Sequence, residues 1–224
     1  VASHRKTVHT LSEQLFALCG QSGEDTLLAA CHVMRGASSM IEGDLATASA
    51  SFAEVVRLYQ PQQHASHGYL YGLDSRIWAM ASWSNIQWLM QHDPCPALTT
   101  AHSALAHARE LNHIPSLGVA LLHLAVLHQF ANQREPVRQA SSEMLTLAQQ
   151  YGLPLFESYA EVLLGWCDAD MTRLERALAR LKHAGCMLRY SYFSAFPADI
   201  EMQAGHYTAA LTRLEQSLQL CGQL

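Results

Sequence analysis

Apolar residues recur along this chain at helical spacing, and no alternating apolar–polar stretch is long enough to read as a strand. The pattern predicts helices near residues 3–20, 25–41, 44–59, 70–91, 95–111, 115–131, 135–151, 154–168, 171–186, 190–204 and 206–221. The breaks between them have a chemical basis. Gly20 to Gly23 punctuates the first gap, and Pro61 through Gly68 makes the longest polar loop. Pro94, Pro96, Pro115 and Pro154 can each open a helix, because the N–H groups of a first turn have no intrahelical partner. Gly185 and Gly205 stand where a helix stops. The most apolar stretch, Leu117 to Leu127, is interrupted by His123 and reads as a buried helix. No run reaches the roughly 18 to 20 apolar residues of a membrane span.

The helices repeat. Gly36 is followed seven residues later by Gly43, then by Ala48 and Phe52. In tetratricopeptide spacing the first glycine lets two helices approach and the second breaks the chain between them. The alanine sits at the crossing, and the bulky residue fills the groove. The pair recurs as Ala48/Phe52, Ala101/Leu105, Ala140/Met144, Ala177/Leu181 and Ala210/Leu214, at spacings of 53, 39, 37 and 33 residues. Twelve positions before each alanine stand Gly36, Leu89, His128, Gly165 and Ala198. The expectation is an all-α, tetratricopeptide-like helical-hairpin solenoid of about five repeats, forming a single domain over residues 1–224.

Composition narrows the function classes. A net charge of −5 and the absence of any Lys/Arg run argue against nucleic acid as a partner of this chain. Six scattered cysteines, Cys19, Cys31, Cys95, Cys167, Cys186 and Cys221, form no CxxC pair, so free thiols in a reducing cytoplasm are expected. No signal peptide is visible, and a chain opening at Val1 reads as a piece of a larger multidomain protein. Neither GxxxxGK(S/T) nor GxGxxG occurs, so no nucleotide or other cofactor is expected. Thirteen histidines invite a metal, but no HExxH occurs and the five-residue spacings His102/His107 and His123/His128 do not share a helix face. No metal is expected, and His123 and His128 read as buried or half-buried histidines with hydrogen-bond partners. His64 and His67 fall in the polar loop.

Several short segments stand in a suggestive order: Tyr71-Gly72-Leu73-Asp74, Ala104 to Leu111, Ile114-Pro115-Ser116-Leu117, Leu127-His128-Gln129, Tyr151-Gly152-Leu153-Pro154, Gly165-Trp166, and Gly185 to Phe193. From Gly36 onward this order resembles the C-terminal repeat region of large bacterial STAND-type ATPase signalling proteins, in which a cyclase, kinase or DNA-binding domain is joined to an ATPase and then to tetratricopeptide-like repeats. The resemblance implies a regulatory module whose partner is a protein segment or its own upstream ATPase. Phe196-Pro197 departs from the pattern and should kink or restart a helix.

Within those motifs Tyr71, Asp74, His128, Arg189 and Tyr192 are candidate binding residues, together with Trp78 of the Trp78/Trp83/Trp88 series, whose five-residue intervals spread around one helix. The pairs Glu42/Asp44 and Asp168/Asp170 sit at helix ends, where carboxylates suit the dipole, and no catalytic set converges. The chain therefore reads as a binding module and not an enzyme. Its concave face takes a protein segment, or alternatively an enclosed aromatic pocket senses a small-molecule effector. Terminal repeats with uncapped apolar faces are compatible with a homodimer.

Overall fold

In the computed structural model the described residues are all but Val1, Gly23, Glu24, Ala65, His92, Asp93 and Leu224, and a few further side chains near these positions and at residues 2–6, 62, 188 and 221–223 are left undescribed. Gly23 and the Cys221 side chain, both singled out above, thus lie outside the described residues. The elements are α1 (Ala2–Ser22), α2 (Asp25–Glu42), α3 (Leu45–Leu58), α4 (Pro61–His64), α5 (His67–Tyr71), α6 (Ser75–Gln91), α7 (Pro94–Leu111) and α8 (Ile114–Phe130). They continue with α9 (Arg134–Tyr151), α10 (Pro154–Asp168), α11 (Met171–His183), α12 (Met187–Phe193), α13 (Phe196–Gln203) and α14 (Tyr207–Gln223). No strand occurs among the described residues. The fold is all-α, built of tetratricopeptide-like helical hairpins. The helices group into two compact units, Ser3–Ala131 and Asn132–Leu224.

In the first unit α2 packs on α3, α3 on α6, and α6 on both α7 and α8. The repeat code has the geometry expected of it. A Cβ added to Gly36 would lie 2.7 Å from the Phe52 ring, so only a hydrogen fits where α2 crosses α3. Phe52 and Ala48 are fully buried there. From Ser116 to Leu127, α8 is buried on every side. His123 is satisfied inside it: its Nδ1–H donates to Asn85 Oδ1 at 2.7 Å, and Asn85 Nδ2 donates to the His123 carbonyl at 3.0 Å.

In the second unit α10 packs on α9 and α11, and α13 on α14. A Cβ on Gly165 would meet the Leu174 backbone nitrogen at 2.9 Å, the same close approach as at Gly36. Phe196-Pro197 does end one helix and start another, separating α12 from α13. The break is held from within: Phe196 is buried against Phe193, Tyr192 and Trp166 at ring distances of 5.2, 5.2 and 5.8 Å. Trp166 is fully buried, donates from Nε1 to Asp199, and lies under the Arg134 guanidinium, which also caps the end of α10 through the carbonyls of Trp166 and Cys167.

One carboxylate of each helix-end pair is an N-cap. Asp44 and Asp170 accept the backbone N–H groups of Thr47 and Arg173, each at 3.0 Å, as N-caps do. Two expectations need correction. The segment Pro61–Gly68 is not a polar loop but carries the short helix α4 and the start of α5, and α6 begins only at Ser75, after Gly72 turns the chain at φ 80°. Cys19 and Cys31 are not free thiols but form a disulfide. Their helices, α1 and α2, run side by side, which a spacing of twelve residues does not reveal.

Candidate functional site

The unit Ser3–Ala131 buries a cluster of polar side chains around Asp74, which is itself fully buried. Asp74 caps α6 by accepting from the Ile77 N–H at 2.9 Å, and its other oxygen accepts from the Tyr59 hydroxyl at 2.6 Å. Its own N–H donates to Ser116 Oγ, which also meets His113 Nδ1 at 2.9 Å. Burial and the Asp74 charge together push the Tyr59 phenol far up.

Three further histidines ring Tyr59. The His64, His107 and His67 centroids lie 5.3, 5.6 and 6.5 Å from the Tyr59 ring, and His64 and His67 are 4.8 Å apart. His64 and His67 are fully buried. The Nε2 atoms of His64, His67 and His107 are buried and make no hydrogen bond. The Gln60 N–H donates to His64 Nδ1 at 2.7 Å, which fixes the proton of neutral His64 on Nε2. Burial pulls all four imidazoles, His64, His67, His107 and His113, below the ordinary 6.5, and outweighs the opposing pull of the Asp74 charge. The cluster is thus a store of neutral imidazoles around one carboxylate. No group of three or more His, Cys, Asp or Glu among the described residues is arranged to hold a metal ion.

Beside the cluster lies an apolar cavity of about 220 Å³, walled by Leu15, the Cys19–Cys31 pair, Ala30, Val33, Tyr71, Leu73 and Trp78. Ser75 is the link: it lines the cavity and its Oγ is 2.7 Å from His67 Nδ1. Tyr71 also touches both, through an edge contact with His67 at 5.1 Å.

In the other unit a more open groove of about 380 Å³ runs between α11, α12, α13 and α14. Leu178 and Pro197 give it an apolar floor, and Lys182, Tyr190, Ser194, Arg213 and Gln216 supply polar groups. Arg213 is held by Glu175 at 2.9 Å, and the Lys182 ammonium lies 5.9 Å from the centre of the Tyr190 ring.

Of the six candidate residues read from the sequence, Tyr71, Asp74 and Trp78 come together around this cavity and its polar edge. The other three do not join them. His128 is half-buried on α8, its ring edge against His102 at 6.5 Å. Arg189 and Tyr192 stand on α12 in the second unit, where burial pushes the Tyr192 phenol up. Tyr59, His64, His67, Ser75 and His107 were not singled out. The one available signal was His64-x-x-His67 between Pro61 and Gly72, which only a helix there would have made meaningful.

No family model matches the chain, and no curated protein matches it. Among solved structures it is similar to aspartyl phosphate phosphatase F from Bacillus subtilis, with a TM-score of 0.75 at 13% sequence identity. The match covers 97% of this chain and 60% of that one, so the chain spans about three fifths of its neighbour's length. At this identity the likeness is one of fold.

Proposed function

We propose that this chain is a protein-binding regulatory module of a bacterial signalling or transcription-regulatory ATPase, acting in the cytoplasm by binding and not by catalysis. The groove of the unit Asn132–Leu224 carries the reading. Its apolar floor and mixed polar rim suit the backbone and side chains of an extended protein segment, with an acidic residue meeting Lys182. The hairpin fold, the order of motifs that resembles ATPase-linked repeats, and the likeness to a protein named for a phosphatase of aspartyl phosphate agree with a place in signalling. Uncapped apolar positions on α14, where Tyr207, Leu211, Leu214 and Leu218 are exposed, leave room for a homodimer or for the rest of a larger protein.

The test is selection of random displayed peptides on the whole chain. Enriched peptides should carry an acidic residue, and should lose binding to Ala179→Trp, which fills the groove, and to Lys182→Glu. Binding that survives both changes, or a selection that enriches nothing, refutes the reading. A second reading, a small-molecule effector sensor, is favoured by one observation: the apolar cavity beside Trp78.

A further inference from the structure

Among residues 7–21 of α1 only Ser12 and Cys19 are buried, with His9, Glu13 and Phe16 half-buried on the same helix face. By contrast, α3 buries Ala48, Ser51, Phe52, Val55 and Leu58. Partly exposed groups tie α1 to α2. Arg35 pairs with Glu13 at 2.9 Å and lies over the Phe16 ring at 4.5 Å, Phe16 meets the His32 ring edge-on at 4.7 Å, and His9 is 3.2 Å from Glu42. Ion pairs this exposed add little. One covalent bond joins the same two helices, the Cys19–Cys31 disulfide, across a sequence separation of 12.

A helix with so little burial opens locally at low cost, so the disulfide and not packing holds it down. A chain that buries a core of this size does not depend on a crosslink to fold. Cys167 and Cys186, in the other unit, are thiols. The bond also stands beside the apolar cavity, to whose wall α1 contributes Leu15 and Cys19, and α2 contributes Ala30, Cys31 and Val33. Departure of α1 takes part of that wall away.

We propose that the Cys19–Cys31 disulfide is a reversible thiol–disulfide exchange site for a dithiol reductant, and that it works as a clasp. Oxidised, it pins α1 on α2. Reduced, it lets α1 detach and open the apolar cavity. This goes beyond the binding role proposed above and does not depend on it. A thiolate of the reductant attacks one sulfur of the pair. The S–S bond breaks, a mixed disulfide forms on that cysteine, and the other cysteine leaves as a thiolate that takes a proton. The reductant's second thiol then closes on its own partner sulfur and frees the first cysteine, which takes the second proton. Two electrons and two protons have passed to the protein, and the reductant departs as a disulfide. The Cys31 sulfur lies 3.8 Å from the Leu15 carbonyl, a weak acceptor for the new S–H until α1 leaves. Oxidation is the same sequence in reverse, with a disulfide as the oxidant.

The whole chain is equilibrated with dithiothreitol in native buffer, and then with glutathione disulfide after the reductant is removed. Differential alkylation read by mass spectrometry reports Cys19 and Cys31 separately, and hydrogen exchange reports α1, α3 and α8. Dithiothreitol should reduce the two cysteines together. Protection of α1 should then fall by on the order of a hundredfold, the constraint supplied by a crosslink over a loop this short, while α3 and α8 keep theirs. Glutathione disulfide should restore both the bond and the protection. The double variant Cys19→Ser/Cys31→Ser should show the weakly protected α1 in either buffer and lose all response to dithiothreitol, which separates this pair from the other cysteines. A pair reduced only in denaturant, or one that glutathione disulfide does not restore, overturns the exchange site. Reduction that leaves α1 protected, or that strips α3 and α8 as well, overturns the clasp.

Discussion

The two units solve the problem of polar side chains in opposite ways. Ser3–Ala131 holds eleven of the thirteen histidines, and buries several as neutral rings around a single carboxylate. Asn132–Leu224 holds two, His183 and His206, both exposed, and relies on arginine. Its guanidinium groups pair with carboxylates across neighbouring helices: Arg173 with Glu161 and Asp168, Arg138 with Asp168, and Arg213 with Glu175 and Glu201. Guanidinium stays charged at every accessible pH, whereas imidazole changes state just below neutrality. One set of hairpins is thus built to respond to protons, and the other to resist them while remaining open to screening by salt.

The largest effect should come from the shared repeat code. Phe52→Ala removes a fully buried ring from the crossing of α2 and α3, and should cost about 3–5 kcal/mol of stability in denaturant titrations. Asp74→Ala should follow at about 3 kcal/mol, because it removes the cap of α6 and leaves the Tyr59 hydroxyl buried without its acceptor. Asp74→Asn keeps an acceptor for the Ile77 N–H but turns an NH2 donor toward the Tyr59 hydroxyl, so it should recover the cap and only part of that loss. If the two variants melt alike, the carboxylate is not the centre of the cluster.

Acid tests the contrast directly. The folded state holds His64, His67, His107 and His113 below 6.5, so above that value both states carry neutral rings and nothing is at stake. As pH falls beneath 6.5 the unfolded chain takes up protons that the folded chain refuses, and stability drops until the folded values are passed. From about pH 7 to about pH 5, protection against hydrogen exchange, taken relative to the intrinsic rate at each pH, should fall in α4 to α7 and much less in α9 to α11. An equal loss of protection in both would break the comparison. The smallest effect belongs to the arginine side: Arg173→Gln should cost about 1 kcal/mol, since its partners are only partly buried, and the cost should shrink in high salt.

The hairpins were legible in the sequence because their code is local. Gly36, Ala48 and Phe52 lie within one repeat, and the same chemistry recurs at Gly165, Ala177 and Leu181. The restart at Phe196-Pro197 was legible because proline carries its own restriction. The histidine cluster was not. Asp74 reaches Ser116 across 42 positions and Tyr59 across 15, and no periodicity links such residues. The run from Pro61 to Gly68 also has the polarity of a loop, and only tertiary burial turns His64 and His67 inward. The disulfide was hidden for a related reason: neighbouring antiparallel helices can bring any two facing cysteines together, whatever their spacing.

The contact between Gly36 and Phe52 also has a consequence for heredity. A methyl group at position 36 collides with the ring at 2.7 Å, so Gly36→Ala arising alone should be strongly disfavoured. After Phe52→Leu it meets a smaller neighbour, and the same substitution should be nearly neutral. The order in which the two changes arise then decides whether a lineage survives them. Two codons sixteen apart are inherited, in effect, as a single locus with one permitted path between its states.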